Sequence, residues 1–306
     1  MPETSTGQGR ASGQRPAPGR ATVPGATKVL LVAVMLLVGV LALLAFAYAR
    51  YGTLLRRQDS SRRGEVEWQD MGAVPGVERQ HTPQGMAWVQ GALALATSWR
   101  DERSVVYRID PVSMQVQGSF DMPAEAVHTS GLSWDGAHLW AVDYVSNRAY
   151  RIDWERSLEE GRANVTGSFG TTLRGTSACS VLNLAGDTVL AVSDHRGSRR
   201  TVFIDVALAL QAGDAGSALV ASYRNEGFSQ GLVFDGAHLY EAENKWPAGV
   251  VNVLDVDALC AGSSARAATV VQYSTPTPGV EDLAWDGEHL WTSDETTFRI
   301  YRGTLR

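Results

Sequence analysis

The chain has 306 residues, 27 basic against 33 acidic side chains, a net charge of −6 and two cysteines. A hydrophobic content of 44% with 20% charged residues is that of a globular protein and excludes wholesale disorder. Two cysteines exclude a disulfide scaffold or a cysteine-rich zinc module, and the acidic total argues against a nucleic-acid partner.

The charge is unevenly placed. Residues 1–66 hold nine basic and three acidic side chains, or +6, whereas residues 67–306 hold 18 and 30, or −12. Residues 1–27, rich in Gly, Pro, Ser, Thr and Arg, cannot bury a core and are expected to form a disordered basic tail. Val29 to Tyr48 is twenty residues with no charge and one Gly. As a helix it would span roughly 30 Å, the thickness of a hydrocarbon core. A buried soluble helix would not be apolar around its whole circumference. Ala45-Phe46-Ala47 and Ala47-Tyr48-Ala49 resemble signal-peptide cleavage sites, but the run exceeds an h-region of about 7–15 residues. The expectation is an uncleaved single-pass membrane anchor over residues 28–50, followed by a juxtamembrane stalk over 51–64 that can rest on anionic headgroups. Four Lys/Arg before the run and five after it barely discriminate orientation. An N-terminal anchor ahead of one large domain acts as an export signal, which favours a cell-membrane protein with its domain outside the cytoplasm.

The remainder repeats itself. Gly131-Leu-Ser-Trp-Asp-Gly-Ala-His-Leu-Trp140 recurs as Gly231-Leu-Val-Phe-Asp-Gly-Ala-His-Leu-Tyr240 and Asp282-Leu-Ala-Trp-Asp-Gly-Glu-His-Leu-Trp291, with weaker copies at Gly85–Ala94 and Val181–Leu190. The anchors Trp88, Trp134, Leu184, Phe234 and Trp285 are spaced by 46, 50, 50 and 51 residues. That period, all strand and turn, predicts a β-propeller. Each unit reads as four strands. The first ends at the anchor, Asp-Gly makes the hairpin turn, the second runs through His-Leu-Trp/Tyr to an acid, and the third is a segment such as Val105–Asp110 or Ala149–Asp153. The last unit ends after its third strand, and Glu65–Met71 is expected to supply the fourth. The fold expectation is therefore all-β: a five-bladed propeller over residues 65–306, closed by an N-terminal strand.

Repeat position sorts residues by face. Loops leading into first strands, and turns joining second to third strands, should surround one mouth of the central channel. Gln84, Ser130, Ser180, Gln230 and Glu281 each stand one residue before a repeat and are expected to form a polar ring there. His81, Thr82, Glu125, His128 and Glu226 lie in the same loops, and Asp143, Asp194, Glu243 and Asp294 end the second strands, with His195 beside them. Carboxylates facing one opening could hold Ca²⁺ through oxygen ligands, although no calcium-loop pattern is present and no other cofactor or metal is expected. His138, His238 and His289 follow the Asp-Gly turns on the far face, separated by whole blades, and read as repeat features rather than metal ligands. Cys179 and Cys260 fall on opposite faces, too far apart for a disulfide. Lys245, the one lysine after the apolar run, sits in Tyr240-Glu-Ala-Glu-Asn-Lys-Trp-Pro247. There it makes either a surface salt bridge or, with Glu241, Glu243 and Trp246, one wall of a site for proton transfer.

Phe228-Ser-Gln-Gly-Leu232, followed by Leu239-Tyr-Glu241, resembles the Phe-Thr-Gln-Gly-Leu…Leu-Tyr-Glu-Ser pattern of plant and bacterial glutamine cyclotransferases. His81-Thr-Pro-Gln-Gly85 and Leu290-Trp-Thr-Ser-Asp294 are similar to other parts of that family. The resemblance implies a five-bladed propeller that cyclises N-terminal glutamine to pyroglutamate without a metal, with Glu241 as the catalytic carboxylate. The family's Ser-Thr-Gly-Leu-Tyr-Gly after that glutamate is replaced by Ala-Glu-Asn-Lys-Trp-Pro. Two functions follow. The first is a membrane-tethered propeller that binds a ligand, peptide or protein partner at its acidic mouth through Gln84, Ser130, Gln230, Glu243, Lys245, Trp246, Glu281, Asp143 and Asp294. The second is a glutaminyl-peptide cyclotransferase.

Overall fold

The computed structural model describes residues 33–43, 62–73, 77, 81–99, 102–195, 197–244 and 249–306. The chain divides into two compact units, residues 1–53 and 54–306. In the first, residues 33–43 form a helix, α1. Among the described residues no helix is long and apolar enough to cross a membrane. The rest of the apolar run, the basic tail, most of the stalk, Lys245 and Trp246 lie outside the described residues.

The second unit is a propeller of five four-stranded antiparallel sheets. Blade 1 is β2 (Thr82–Val89), β3 (Ala92–Trp99), β4 (Arg103–Ile109) and β5 (Val116–Asp121). Blade 2 is β6 (Thr129–Trp134), β7 (Leu139–Asp143), β8 (Arg148–Asp153) and β9 (Asn164–Gly170). Blade 3 is β10 (Thr176–Leu184), β11 (Asp187–Asp194), β12 (Arg200–Asp205) and β13 (Leu219–Arg224). Blade 4 is β14 (Phe228–Phe234), β15 (His238–Asn244), β16 (Val250–Asp255) and β17 (Thr269–Ser274). Blade 5 takes β18 (Val280–Trp285), β19 (Leu290–Asp294) and β20 (Arg299–Leu305) from the end of the chain. Its outermost strand is β1 (Val66–Gly72), antiparallel to β20 with Val66 opposite Leu305 and Asp70 opposite Tyr301.

Period-two alternation gives each strand two apolar faces, because every blade is sandwiched between two others. In β8, Tyr150 and Ile152 enter the layer shared with blade 1, while Ala149 enters the layer shared with blade 3. Five such layers make up the core.

The repeated Asp-Gly-x-His-Leu-Trp/Tyr string has one local explanation. Gly136 takes a φ of 95°, closing a two-residue hairpin in which the Asp135 N–H donates to His138 O at 3.2 Å. Asp135 Oδ1 accepts the N–H groups of Ala137 and His138 at 2.8 and 2.6 Å, and Oδ2 accepts the Trp140 indole N–H at 2.8 Å. Asp235 does the same with Tyr240 Oη at 3.0 Å, and Asp286 with Trp291 Nε1 at 2.8 Å. The histidines therefore belong to the turns, with His289 Nδ1 3.2 Å from Asp286 Oδ2.

The third-to-fourth connections carry short helices that the strand-and-turn reading did not anticipate: α2 (Trp154–Glu160), α3 (Val206–Ala212), α4 (Val256–Cys260) and α5 (Ala265–Ala268). Asp153, Asp205 and Asp255, read as strand ends, are also N-caps that accept from the N–H groups of Arg156, Leu208 and Ala258 at 3.0–3.1 Å. Cys179 is buried in β10, Cys260 is exposed at the end of α4, and both are free thiols.

Trp68 of β1 lies across Gly303, where an added Cβ would come within 2.8 Å of its ring, and its Nε1 donates to Ser274 O of blade 4 at 2.8 Å. Trp68→Ala removes both contacts and is expected to cost about 2 kcal/mol. Chemical denaturation would read this as a lower midpoint with an unchanged m-value.

Candidate functional site

The first strands line the channel, and three glycines let them approach. A Cβ on Gly131 would fall 2.7 Å from Ala178 Cα, and one on Gly231 would fall 2.8 Å from Asp282 Cα. Position by position, one ring is Gly85, Gly131, Ala178, Gly231 and Asp282, and only the fifth member carries a polar side chain. Asp282 Oδ2 accepts the N–H groups of Met86 and Leu132, both at 2.9 Å; Oδ1 accepts those of Leu232 at 3.2 Å and Leu283 at 2.9 Å. Four blades thus donate to one fully buried carboxyl group. Burial pushes its pKa well up, and the four N–H donors pull back toward the charged form.

One residue toward the mouth lies the polar ring, with one correction. Backbone pairing makes Thr176 opposite Asp194 equivalent to Thr129 opposite Asp143, so the blade 3 member is Ser177 and not Ser180. The blade 3 anchor is likewise Val181, opposite Leu190, rather than Leu184. The β10–β11 hairpin runs three residues further on each strand, to a turn at Ala185-Gly186, and this displaced the repeat alignment.

The ring stitches blade to blade. Gln84 Oε1 meets His128 Nε2 of blade 2 at 2.8 Å, Ser130 Oγ donates to Thr176 O at 2.6 Å, and Ser177 Oγ donates to Ser229 O at 2.7 Å. Gln230 Nε2 donates to both carboxyl oxygens of Glu281, at 2.9 and 3.0 Å. Among the described residues no hydrogen bond continues from the Glu281 side chain to blade 1, so the seam between blades 5 and 1 is where the pattern stops. Glu281 is 3% exposed. Burial raises its pKa well above the ordinary value of 4.5, the negative charge of Glu295 adds to the rise, and the Gln230 amide opposes it. This leaves a carboxyl group at the mouth that holds its proton far more readily than a solvated glutamate, as a general acid or a hydrogen-bond donor requires.

The second-strand acids hydrogen-bond the loops around the mouth. Asp143 accepts from His128 N at 2.6 Å, Val145 N at 3.1 Å and Ser146 N at 2.6 Å. Asp294 accepts from Thr296 N at 2.9 Å, from Thr297 N and from Thr277 Oγ1. Asp194 accepts from Ser198 N and Oγ at 2.7 and 2.8 Å. Glu243 accepts from Gly227 N at 2.6 Å. These carboxylates fasten the loops around the mouth, and among the described residues no group of three or more His, Cys, Asp or Glu could hold a metal ion. Glu241, opposite Leu232 and Asn252 in blade 4, has no exposed surface. The Tyr223 phenol is pushed well up, by burial first and then by the charge of Glu241. Glu281 and Gln230 are thus in contact, Gln84 and Ser130 hold the equivalent positions on blades 1 and 2, and Asp282 is the site residue that the repeat pattern shows only as a repeat start.

No family model and no curated protein sequence matches the chain. Among solved structures, a glutaminyl cyclase from Myxococcus xanthus superposes with a TM-score of 0.58 at 12% identity, covering 80% of this chain and 97% of that one. The aldose sugar dehydrogenase from Streptomyces coelicolor also aligns, over 80% of this chain and all of that one, at 12% identity and a TM-score of 0.43. The likeness to the cyclase is one of fold.

Two outcomes check the site. Asp282→Gly should strand four inward N–H groups and cost about 3 kcal/mol or more. Formate, which can refill the vacated position, should restore much of the lost melting temperature in a saturable way while leaving the parent chain unmoved. For Glu281, a native pKa above the unfolded one means that the stability it contributes is complete below the ordinary 4.5 and is lost as pH rises toward the raised native value. Glu281→Gln should therefore flatten the decline of the melting temperature above about pH 5.

Proposed function

We propose that this chain is a membrane-anchored, extracytoplasmic propeller that binds a polar ligand, peptide or protein segment at the mouth of its channel. In this reading the apolar run Val29–Tyr48 is the single-pass anchor and β1 closes the ring. The observation that carries the binding role is the break in the polar ring at Glu281. Four ring residues spend their side chains on the next blade, whereas the fifth, a proton-retaining carboxyl group with Gln230 on one side, ends the series. A ligand group that accepts a hydrogen bond from Glu281 and donates to Gln230 Oε1 would complete the circuit.

A second reading, cyclisation of N-terminal glutamine with release of ammonia, is favoured by the fold likeness to a glutaminyl cyclase and by Phe228-Ser-Gln-Gly-Leu232. One experiment separates the two. The full chain in detergent is incubated with short peptides, one of them bearing N-terminal Gln, and both binding and free ammonia are measured. Binding that Glu281→Leu weakens roughly tenfold or more, without ammonia, is the expected result. Ammonia release that Glu241→Gln abolishes would establish the enzyme instead.

A further inference from the structure

The propeller carries a net charge of −12 over residues 67–306, yet one stretch of its mouth face is basic: Arg174 before β10, Arg199 and Arg200 at the β11–β12 turn, and Arg224 at the end of β13. The segments are neighbours. His195 N donates to Gly175 O at 3.1 Å, and Asn225 N donates to Arg199 O at 2.9 Å. Arg200 and Arg224 stand directly opposite each other in the β12–β13 ladder, and both are exposed. Like charges facing each other across a strand pair repel, so this pairing opposes the fold unless something neutral or anionic answers it.

Nothing described supplies that answer. Among the described residues Arg174, Arg199, Arg200 and Arg224 form no ion pair, while Arg103, Arg156, Arg162, Arg299 and Arg306 elsewhere on the propeller all do. Asp194, the acid at this turn, is committed to Ser198 and to the Arg200 N–H at 3.3 Å. Arg200 reaches instead to Ser222 Oγ at 2.5 Å.

Two further observations mark the same place. Arg199 sits at a φ of +50°, a conformation that costs a non-glycine residue about 1 kcal/mol or more, and its guanidinium lies 5.4 Å from the centre of the Phe228 ring. His195 flanks that ring at 5.1 Å. Beside Arg224, buried Asn225 accepts from Thr201 Oγ1 at 2.9 Å and has no partner for its Nδ2 donor among the described residues.

We infer that these arginines, with Phe228, form a docking surface for an acidic peptide segment. Guanidinium groups pair with carboxylates through forked hydrogen bonds, and an aromatic ring under Arg199 holds one fork in place. A long polyanion such as a nucleic acid would meet the acidic remainder of the domain, whereas a short run of carboxylates matches the extent of the cluster. The arginines belong to blade 3 and Glu281 to blade 5, so the inference does not depend on Glu281 binding the same ligand.

The test uses the full chain in detergent and two fluorescent hexapeptides, one of alternating Glu and Ser and one of alternating Gly and Ser. The acidic peptide should bind and the neutral one should not, and binding should weaken as salt rises from about 50 to about 300 mM. Arg200→Gln/Arg224→Gln should reduce affinity roughly tenfold while keeping or raising the melting temperature, because the opposed charges are gone. Arg156→Gln, which removes a charge already paired with Glu160, should leave peptide binding unchanged. Equal binding of both peptides, or equal affinity of the double variant, overturns the inference. So does a result in which phosphatidylserine vesicles, and not the acidic peptide, distinguish the double variant from the parent.

Discussion

Everything at the channel depends on the Asp282 carboxyl group and the four peptide N–H groups that converge on it. Inner strands that pack this closely turn backbone donors toward the axis, where neither water nor a neighbouring strand readily satisfies them. A single carboxyl group from blade 5 satisfies blades 1, 2 and 4 together with its own. The equivalent positions are three glycines and an alanine, and a Cβ on any of the glycines would collide with the inner strand of the next blade. Blade 5 thus differs from the others at the position where five-fold repetition would fail, and the break in the polar ring one residue away belongs to the same blade.

The two consecutive carboxyls also explain each other. Asp282 is anchored by N–H donors, whereas Glu281 has only the Gln230 amide and faces the charges of Asp282, Glu295 and Asp294. One acid is fixed by backbone geometry and the other is left as the chemically adjustable group. The mouth is therefore not a general pool of negative charge. Most of its acids are fully employed as loop fasteners.

Much of this was legible in the amino-acid string. Three of the five blades announce themselves in the Asp-Gly-x-His-Leu-Trp/Tyr repeats, because that string encodes a hairpin, its cap and a side-chain latch within a few residues, and the spacing of about 50 residues locates the other two. Local physics of that kind survives in sequence. Blade 3 has no Asp-Gly and a longer hairpin, so Leu184 was matched where Val181 belongs and Ser180 where Ser177 belongs. The short helices were hidden because Asp153, Asp205 and Asp255 serve two elements at once, and a strand reading consumes the signal. Asp143 and Asp294 both end strands at the mouth, and the following Ser146 and Thr297, which supply N–H donors at the third position onward, are the clue that they also fasten turns. The Gln230–Glu281 pair and the bonds from blades 1, 2 and 4 to Asp282 join residues 50 to 196 positions apart, and no local pattern announces such contacts.

The path by which the chain enters blade 5 has a mechanical consequence. Before reaching β1 it is held on blade 4, where Gly64 N donates to Gln272 O at 2.9 Å and the Arg62 guanidinium grips the carbonyls of Arg266 and Thr269. Beyond that point Val66 starts a ladder whose partner ends at Leu305, and Arg306 N closes on Glu65 O at 2.9 Å. Traction on the preceding segment, directed along β1, would load the Arg62 grip first and then strain the rungs of the ladder together rather than one after another. Strands loaded in that sense resist as a set, so β1 and β20 act as a splice that is strongest in shear along the strand axis.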